Sequence, residues 1–387
     1  MNDQSNETKA LAGRRSFLKS SLGTAGSITL GSTLLATSAR AFAGETSDSL
    51  THGDIAILRF LAAAELIESD LWVQYNELGG IQDNERKELG GGGSPIYTAA
   101  LSNLDPDMPQ YIHDNTDDEL SHADFLNAYL KAKGADTVDL DSFRTLPGSK
   151  ASGALQLGRL TNLMQLTVDT SWWTRYRSST HNPDLDPAFT FAQAVPGLAK
   201  GQHPAIPRTD ADLFPQDHIQ AIANTAGFHF AFIEQGGTTL YPSLAQGVTD
   251  PEVLRILLSI GPTETAHFQT WHDKAGNAVN GSILPSPLID PNDPSLIFPN
   301  LNTAPGGEDF QTNLIMPEPC PFIRNLPPCS IVRPTQPRGA AMGALTALTR
   351  DGLFIGQSRE FFEFLQDLAE DADEAVARKI DSQNRRS

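Results

Sequence analysis

The chain has 387 residues, 39% of them hydrophobic, and a formal net charge of −19 from 47 acidic and 28 basic side chains. That length holds one large domain or two modest ones, and the apolar content supports a packed core. The acidic balance argues against a nucleic-acid partner, which needs a basic surface, and no run of about 18 apolar residues marks a transmembrane helix.

The N-terminus reads AGRRSFLKSSLGTAGSITLGSTLLATSARAFAG. Arg14 and Arg15 precede Ser16, Phe17, Leu18 and Lys19. A weakly apolar stretch follows and closes on Ala41-Phe42-Ala43, a small-x-small cleavage site. The segment resembles a twin-arginine export signal, whose pattern is R-R-x-F-L-K. The resemblance implies a signal peptide over 1–43 and the twin-arginine translocase as a partner during export. It also implies a periplasmic or otherwise exported mature protein. That route carries folded proteins, often those that acquire a cofactor before export.

Residues 52–79 predict a long helix, with apolar residues at Ile55, Leu58, Ala62, Leu66 and Val73 and an end at Gly79-Gly80. Residues 80–106 read as a polar loop containing Gly90 to Gly93. A second helix is expected from near Pro109, with Asp107 as its cap, to Gly134. Residues 153–178 predict a third, followed by a Pro-rich loop to about 215. A fourth is expected from Gln216 to Leu240; its Gly236 and Gly237 point to close packing. A fifth starts at Pro251 with Thr249 or Asp250 as cap, and Gly261-Pro262 predicts a kink.

Residues 281–340 are rich in Pro and Asn and read as an ordered irregular wrap or a flexible linker. A last helix is expected at SREFFEFLQDLAEDADEAVARKI. The domain reading is a signal peptide over 1–43, a helical domain over 44–280, a Pro-rich irregular segment over 281–340, and a C-terminal helix and tail over 341–387. Cys320 and Cys329 are the two cysteines. In an oxidising compartment they could close a small loop as a disulfide; the alternative is two unpaired thiols.

Of the nine histidines, only His122 and His267 have a glutamate three residues earlier, Glu119 and Glu264. Three residues is nearly one helical turn, so each pair projects from one face. Glu65 in LAAAELI and Glu234 in FAFIEQG sit in apolar stripes, where an ionised carboxylate is costly without a partner. Glu68 competes with Glu65, and the more apolar setting favours Glu65. His229 and His272 read as structural. The order Glu, Glu-x-x-His, Glu, Glu-x-x-His on four helices is the ligand pattern of di-iron and di-manganese carboxylate bundles. Four carboxylates neutralise two divalent cations, and oxygen ligands with imidazole suit iron or manganese.

The chain resembles the ferritin-like family that includes rubrerythrins, manganese catalases and plant desiccation-related proteins, and in style the last group with its bacterial relatives. ILRFLAAAELIESDLW is similar to their first helix. TTLYPSLAQGVTDPEVLRILLSIGPTETAHF is similar to their connection from third to fourth helix. The resemblance spans about residues 50–280. It implies an all-α fold: a ferritin-like four-helix bundle with an extra crossover helix and an irregular C-terminal extension. It implies Glu65, Glu119, His122, Glu234, Glu264 and His267 as metal ligands, Glu119 and Glu264 bridging two divalent metal ions, iron or manganese.

The function so implied is an exported di-metal oxidoreductase of peroxidase, catalase or ferroxidase type, acting on oxygen, peroxide or ferrous iron. Its partners are then a small-molecule oxidant or a metal ion. The alternative is a non-catalytic stress- or desiccation-related structural or metal-binding protein. No catalytic residue is assigned, and a homo-oligomer is left open.

Overall fold

The computed structural model describes residues 49–83, 92–175, 191–281, 284, 286–303, 316–318, 329–331 and 338–385. Eight α-helices run through them: α1 (His52–Gly79), α2 (Pro95–Ser102), α3 (Met108–Ala132), α4 (Ser171–Arg175), α5 (Gln216–Ala245), α6 (Pro251–Asn277), α7 (Ala340–Asp351) and α8 (Arg359–Asn384). The strands among the described residues form three short antiparallel pairs: β1 (Leu146–Pro147) with β2 (Gly158–Arg159), β3 (Leu288–Asp290) with β4 (Asp293–Phe298), and β5 (Met316–Glu318) with β6 (Cys329–Ile331). The fold is all-α in character, as expected.

Local chemistry sets the ends of the long helices. The Thr51 hydroxyl accepts from the Asp54 amide at 3.1 Å and caps α1. Asp250 caps α6 by accepting from the amides of Glu252 and Val253, with Pro251 at the first helical position. Asp107 stands at the cap position of α3 but makes no side-chain cap bond. Helix α6 continues through Gly261 and Pro262 as a single element.

Residue pairs across the interfaces give the topology. Ser69 reaches Glu119 and Thr116 reaches Trp72, so α1 and α3 are antiparallel. A Cβ built on Gly237 would meet Glu264, and one on Gly227 would approach Ala275, so α5 and α6 are antiparallel. Tyr75 bonds His229 and Tyr241 bonds Glu65, which sets α1 against α5 in the opposite sense. Helices α3 and α5 therefore run parallel, and only a long crossover can join them. The shared core stacks Trp72 on Trp271 at 5.4 Å and on Phe230 at 5.0 Å.

Two expectations are corrected. Residues 80–106 hold a helix, α2, whose Tyr97, Ala100 and Leu101 are buried. Of the helix expected over 153–178, the described residues are helical only in α4. The preceding backbone is claimed elsewhere: Asp70 of α1 accepts from the amides of Leu160 and Thr161 at 3.0 and 2.9 Å and from the Thr161 hydroxyl at 2.7 Å. Those donors cannot serve an intrahelical ladder. Leu160, Leu163, Leu166 and Val168 are buried all the same, in an irregular path.

Among the described C-terminal residues, the last helix expected from the sequence is present as α8. Helix α8 packs on the bundle, with Ala375 against Gly53 and Val376 against Gly247. Hairpin β3–β4 is tied to α5 through His218, whose Nδ1 lies 2.7 Å from Asp290 Oδ1 and whose Nε2 lies 3.5 Å from Asp212 Oδ1. Asp212 and Asp290 together push the His218 pKa up to about 9. An imidazole raised in this way stabilises fully below its unfolded value near 6.5. That contribution is lost as pH rises through about 9. His218→Gln should thus lower unfolding free energy by roughly 2–3 kcal/mol at most near pH 6 and by much less near pH 10. Equal losses at both pH values in denaturant titrations would contradict this linkage.

Candidate metal centre

Helix α1 brings Glu65 inward, α3 brings Glu119 and His122, α5 brings Glu234, and α6 brings Glu264 and His267. All six residues named from the sequence converge inside the bundle. They form two overlapping groups: Glu65, Glu119, His122 and Glu264 in one, and Glu119, Glu234, Glu264 and His267 in the other. The donor atoms of each group lie within 4.8 Å of one another. Glu119 and Glu264 belong to both. The four carboxylates are at most 1% exposed.

Both imidazoles turn Nδ1 toward the carboxylates. His122 Nδ1 lies 3.2 Å from Glu119 Oε2, 3.3 Å from Glu264 Oε1 and 3.5 Å from Glu65 Oε2. His267 Nδ1 lies 3.0 Å from Glu119 Oε1 and 3.2 Å from Glu234 Oε2. On its far side, His267 Nε2 lies 3.0 Å from Asp118 Oδ2. With a cation in place of the Nδ1 proton, that carboxylate would hold the remaining proton on Nε2.

Further residues orient the carboxylates. Asn115 donates from Nδ2 to Glu119 Oε1 at 3.0 Å and to Glu234 Oε1 at 2.9 Å. Its Oδ1 accepts from Trp271 Nε1 at 2.7 Å. The Tyr241 hydroxyl donates to Glu65 Oε1 in a short bond. Sequence reasoning assigned no role to Asn115, Asp118 or Tyr241. The signal for Asn115 was its place one turn before Glu119, on the same face.

The cluster is electrostatically tense. Burial pushes the Glu65 carboxyl up to about 7, against the hydrogen bond from His122. Burial and then the Glu119 charge raise Glu264 well above the carboxylate range. For His122, burial opposes the charged form, but Glu119, Glu264 and Glu65 outweigh it and raise the pKa strongly. For His267, Glu234, Asp118 and Glu119 do the same. Glu264 Oε2 is buried without a hydrogen-bond partner, and Glu65 Oε2 and Glu264 Oε1 face only the shared His122 Nδ1, at 3.5 and 3.3 Å. Buried acceptors of this kind are satisfied by a cation, so the donor set fits a metal pair.

Glu68 belongs to neither group. Its Oε1 is buried without a hydrogen-bond partner. Burial, then repulsion from Glu119, Glu234, Glu264 and Glu65, raises its carboxyl well above the usual range. The two groups thus include Glu65 and leave out Glu68. His229 sits between Tyr75 and Asp351, and His272 stacks on Trp173 at 4.9 Å; both lie in the core. Segment 1–43 and Cys320 lie outside the described residues, and with them the export signal and the cysteine pairing.

The family model of the ferritin-like domain matches residues 53–276, more than half of the chain. The chain belongs to the ferritin-like family. Comparison with curated proteins and with solved structures gives no significant match. The span matched to the ferritin-like domain contains all six clustered residues and the four long helices that carry them, apart from the terminal residues of α1 and α6.

In this ferritin-like domain the α5–α6 contact depends on glycine. A Cβ on Gly237 would lie 2.5 Å from Glu264 Oε2, and one on Gly261 would lie 2.8 Å from Tyr241 Cβ. Gly237→Ala should displace Glu264 and lower metal retention, although alanine improves helix propensity by about 1 kcal/mol. Gly236→Ala has open space and should gain the propensity with metal retention unchanged. Elemental analysis and thermal unfolding of both variants check this; equal metal retention would contradict it.

Proposed function

We propose that the six residues hold two divalent metal ions, iron or manganese, and that the protein is an exported oxidoreductase acting on oxygen, peroxide or ferrous iron. The observation that carries this reading is the pair of buried groups sharing Glu119 and Glu264. Glu65 and His122 would complete one metal position, and Glu234 and His267 the other. Bound there, two redox-active ions would supply electron transfer to an oxygen species.

The chain's own residues do the rest. Asn115 holds Glu119 and Glu234 in register. Asp118 sets the His267 tautomer, and Tyr241 pins Glu65. Trp72, Phe230 and Trp271 form an apolar wall that keeps water from the ligand helices. A second reading, a stress-related bundle without turnover, draws on the ion pairs that His122 and His267 already make with the carboxylates.

Turnover separates the two. Protein loaded with iron or with manganese should consume peroxide, or oxygen with ferrous iron, well above a Glu119→Ala control. Rates equal to that control for every combination would leave the non-catalytic reading. Export is tested independently. Arg14→Lys with Arg15→Lys should leave the protein in the cytoplasm, and normal export of this variant on fractionation would sink the signal assignment.

A further inference from the structure

A cavity of about 360 Å³ lies between α1, α5, α7 and α8. That size is typical of small-ligand sites, which run from about 300 to 1,000 Å³. Its wall is mainly apolar, with Phe60, Leu71, Phe232, Ile233, Leu345 and Leu348 contributing. Glu65, Glu68 and Tyr241 also line it, so the cavity meets the carboxylate centre directly. Gly236 and Gly343 line it as well, and both are exposed to solvent. A Cβ added to either meets no atom within 4 Å. Arg338, ion-paired with Asp381, is a further exposed lining residue.

The lining selects by chemistry. Away from Glu65 and Glu68, a metal cation would find no ligand among the apolar side chains. An anion would meet Glu65 and Glu68, with Glu119, Glu234 and Glu264 behind them. A neutral, mainly apolar molecule avoids both penalties and gains by leaving water. One hydrogen-bond donor on it would satisfy Glu68 Oε1, which is otherwise buried without a partner.

We infer that this cavity binds a neutral, largely apolar organic molecule with one hydroxyl group, seated with the hydroxyl at Glu68 and beside the proposed metal pair. Its role as the organic substrate of that centre rests on the metal reading above; the binding itself does not. The C-terminal helices thereby become part of the site, since Leu345 and Leu348 of α7 close one side of it.

The test uses the full chain, metal-free and manganese-loaded, titrated with naphthol, naphthalene and naphthoate by fluorescence. Naphthol should bind saturably and naphthoate should not. Gly236→Leu and Gly343→Leu project side chains into the cavity and should each weaken naphthol binding by about tenfold or more, with a melting temperature no lower than wild type and wild-type metal content. Glu68→Leu should weaken naphthol but not naphthalene. Absence of saturable naphthol binding would overturn the inference. So would wild-type affinity in both leucine variants, or naphthoate binding as tight as naphthol. Metal content measured on the same samples keeps the two claims apart. A protein that binds naphthol but no metal retains the cavity and loses the metal pair; the reverse retains the metal pair and loses the cavity.

Discussion

Glu119→Ala should remove most of the metal from the protein. Glu119 is fully buried and is one of two carboxylates common to both ligand groups. Its Oε1 is held by Asn115 and its Oε2 faces His122 at 3.2 Å. Losing it takes one donor from each metal position and leaves the Asn115 amide and both imidazoles short of a partner. Orienting residues alone typically change metal affinity by about 10–100-fold, so a shared ligand should cost more. Elemental analysis after dialysis should find well under half of the wild-type metal, and Glu264→Ala should behave alike. Glu68→Gln should retain most of it, because Glu68 stands outside both groups. Wild-type metal content in Glu119→Ala would show that the carboxylates do not act as a shared pair.

The largest stability effect outside the centre is expected at Arg159. Its guanidinium pairs in a short contact with Glu77, and both side chains are buried, Arg159 to 2% and Glu77 to 0% exposure. The pair joins strand β2 in the crossover to helix α1. Glu77 Oε1 and Arg159 Nε have no hydrogen-bond partner, so the pair is incompletely satisfied. Burial pushes Glu77 up to about 7 despite the Arg159 charge. A raised carboxyl favours the folded state below its unfolded value near 4.5, and this advantage is lost as pH rises through about 7.

Arg159→Met therefore leaves a buried carboxylate that must ionise unpaired at alkaline pH. The expected loss is about 3–5 kcal/mol near pH 8 and clearly less near pH 5, where Glu77 can stay protonated. Replacing both partners, Arg159→Met with Glu77→Leu, should recover most of that loss, because two apolar groups of similar shape need no pairing. Urea titrations at both pH values measure this. A double variant as unstable as the single one would assign the effect to packing rather than to charge.

What could be read from the sequence depended on how local the physics was. Helices α1, α3, α5 and α6 announce themselves through apolar stripes, the cap at Asp250, and prolines at first-turn positions of α3 and α6, whereas the Thr51 cap of α1 emerges only in the structure. The Glu-x-x-His pairs follow from helix period alone, so the six clustered residues were accessible once four helices were placed. Helix α2 escaped because its eight residues follow a glycine-rich run that reads as loop. Residues 153–178 carry apolar spacing compatible with a helix. The amides of Leu160 and Thr161 instead answer to Asp70, about 90 positions earlier, and no local pattern encodes such a partner. Tyr241 and Asp118 are similar cases, since each is defined by what faces it from another helix. The cavity is the least legible feature. It exists because α7 and α8 return to cover α1 and α5, and nothing in the periodicity of α7 says where it docks.

The central claim is that two buried quartets sharing Glu119 and Glu264 are a two-metal site. The most direct measurement is the metal content of the purified full chain after reconstitution with iron and, separately, with manganese. The account predicts about two ions per chain for at least one of the two metals, retained through dialysis and released by a strong chelator. Less than about a tenth of an ion per chain with both metals would contradict it.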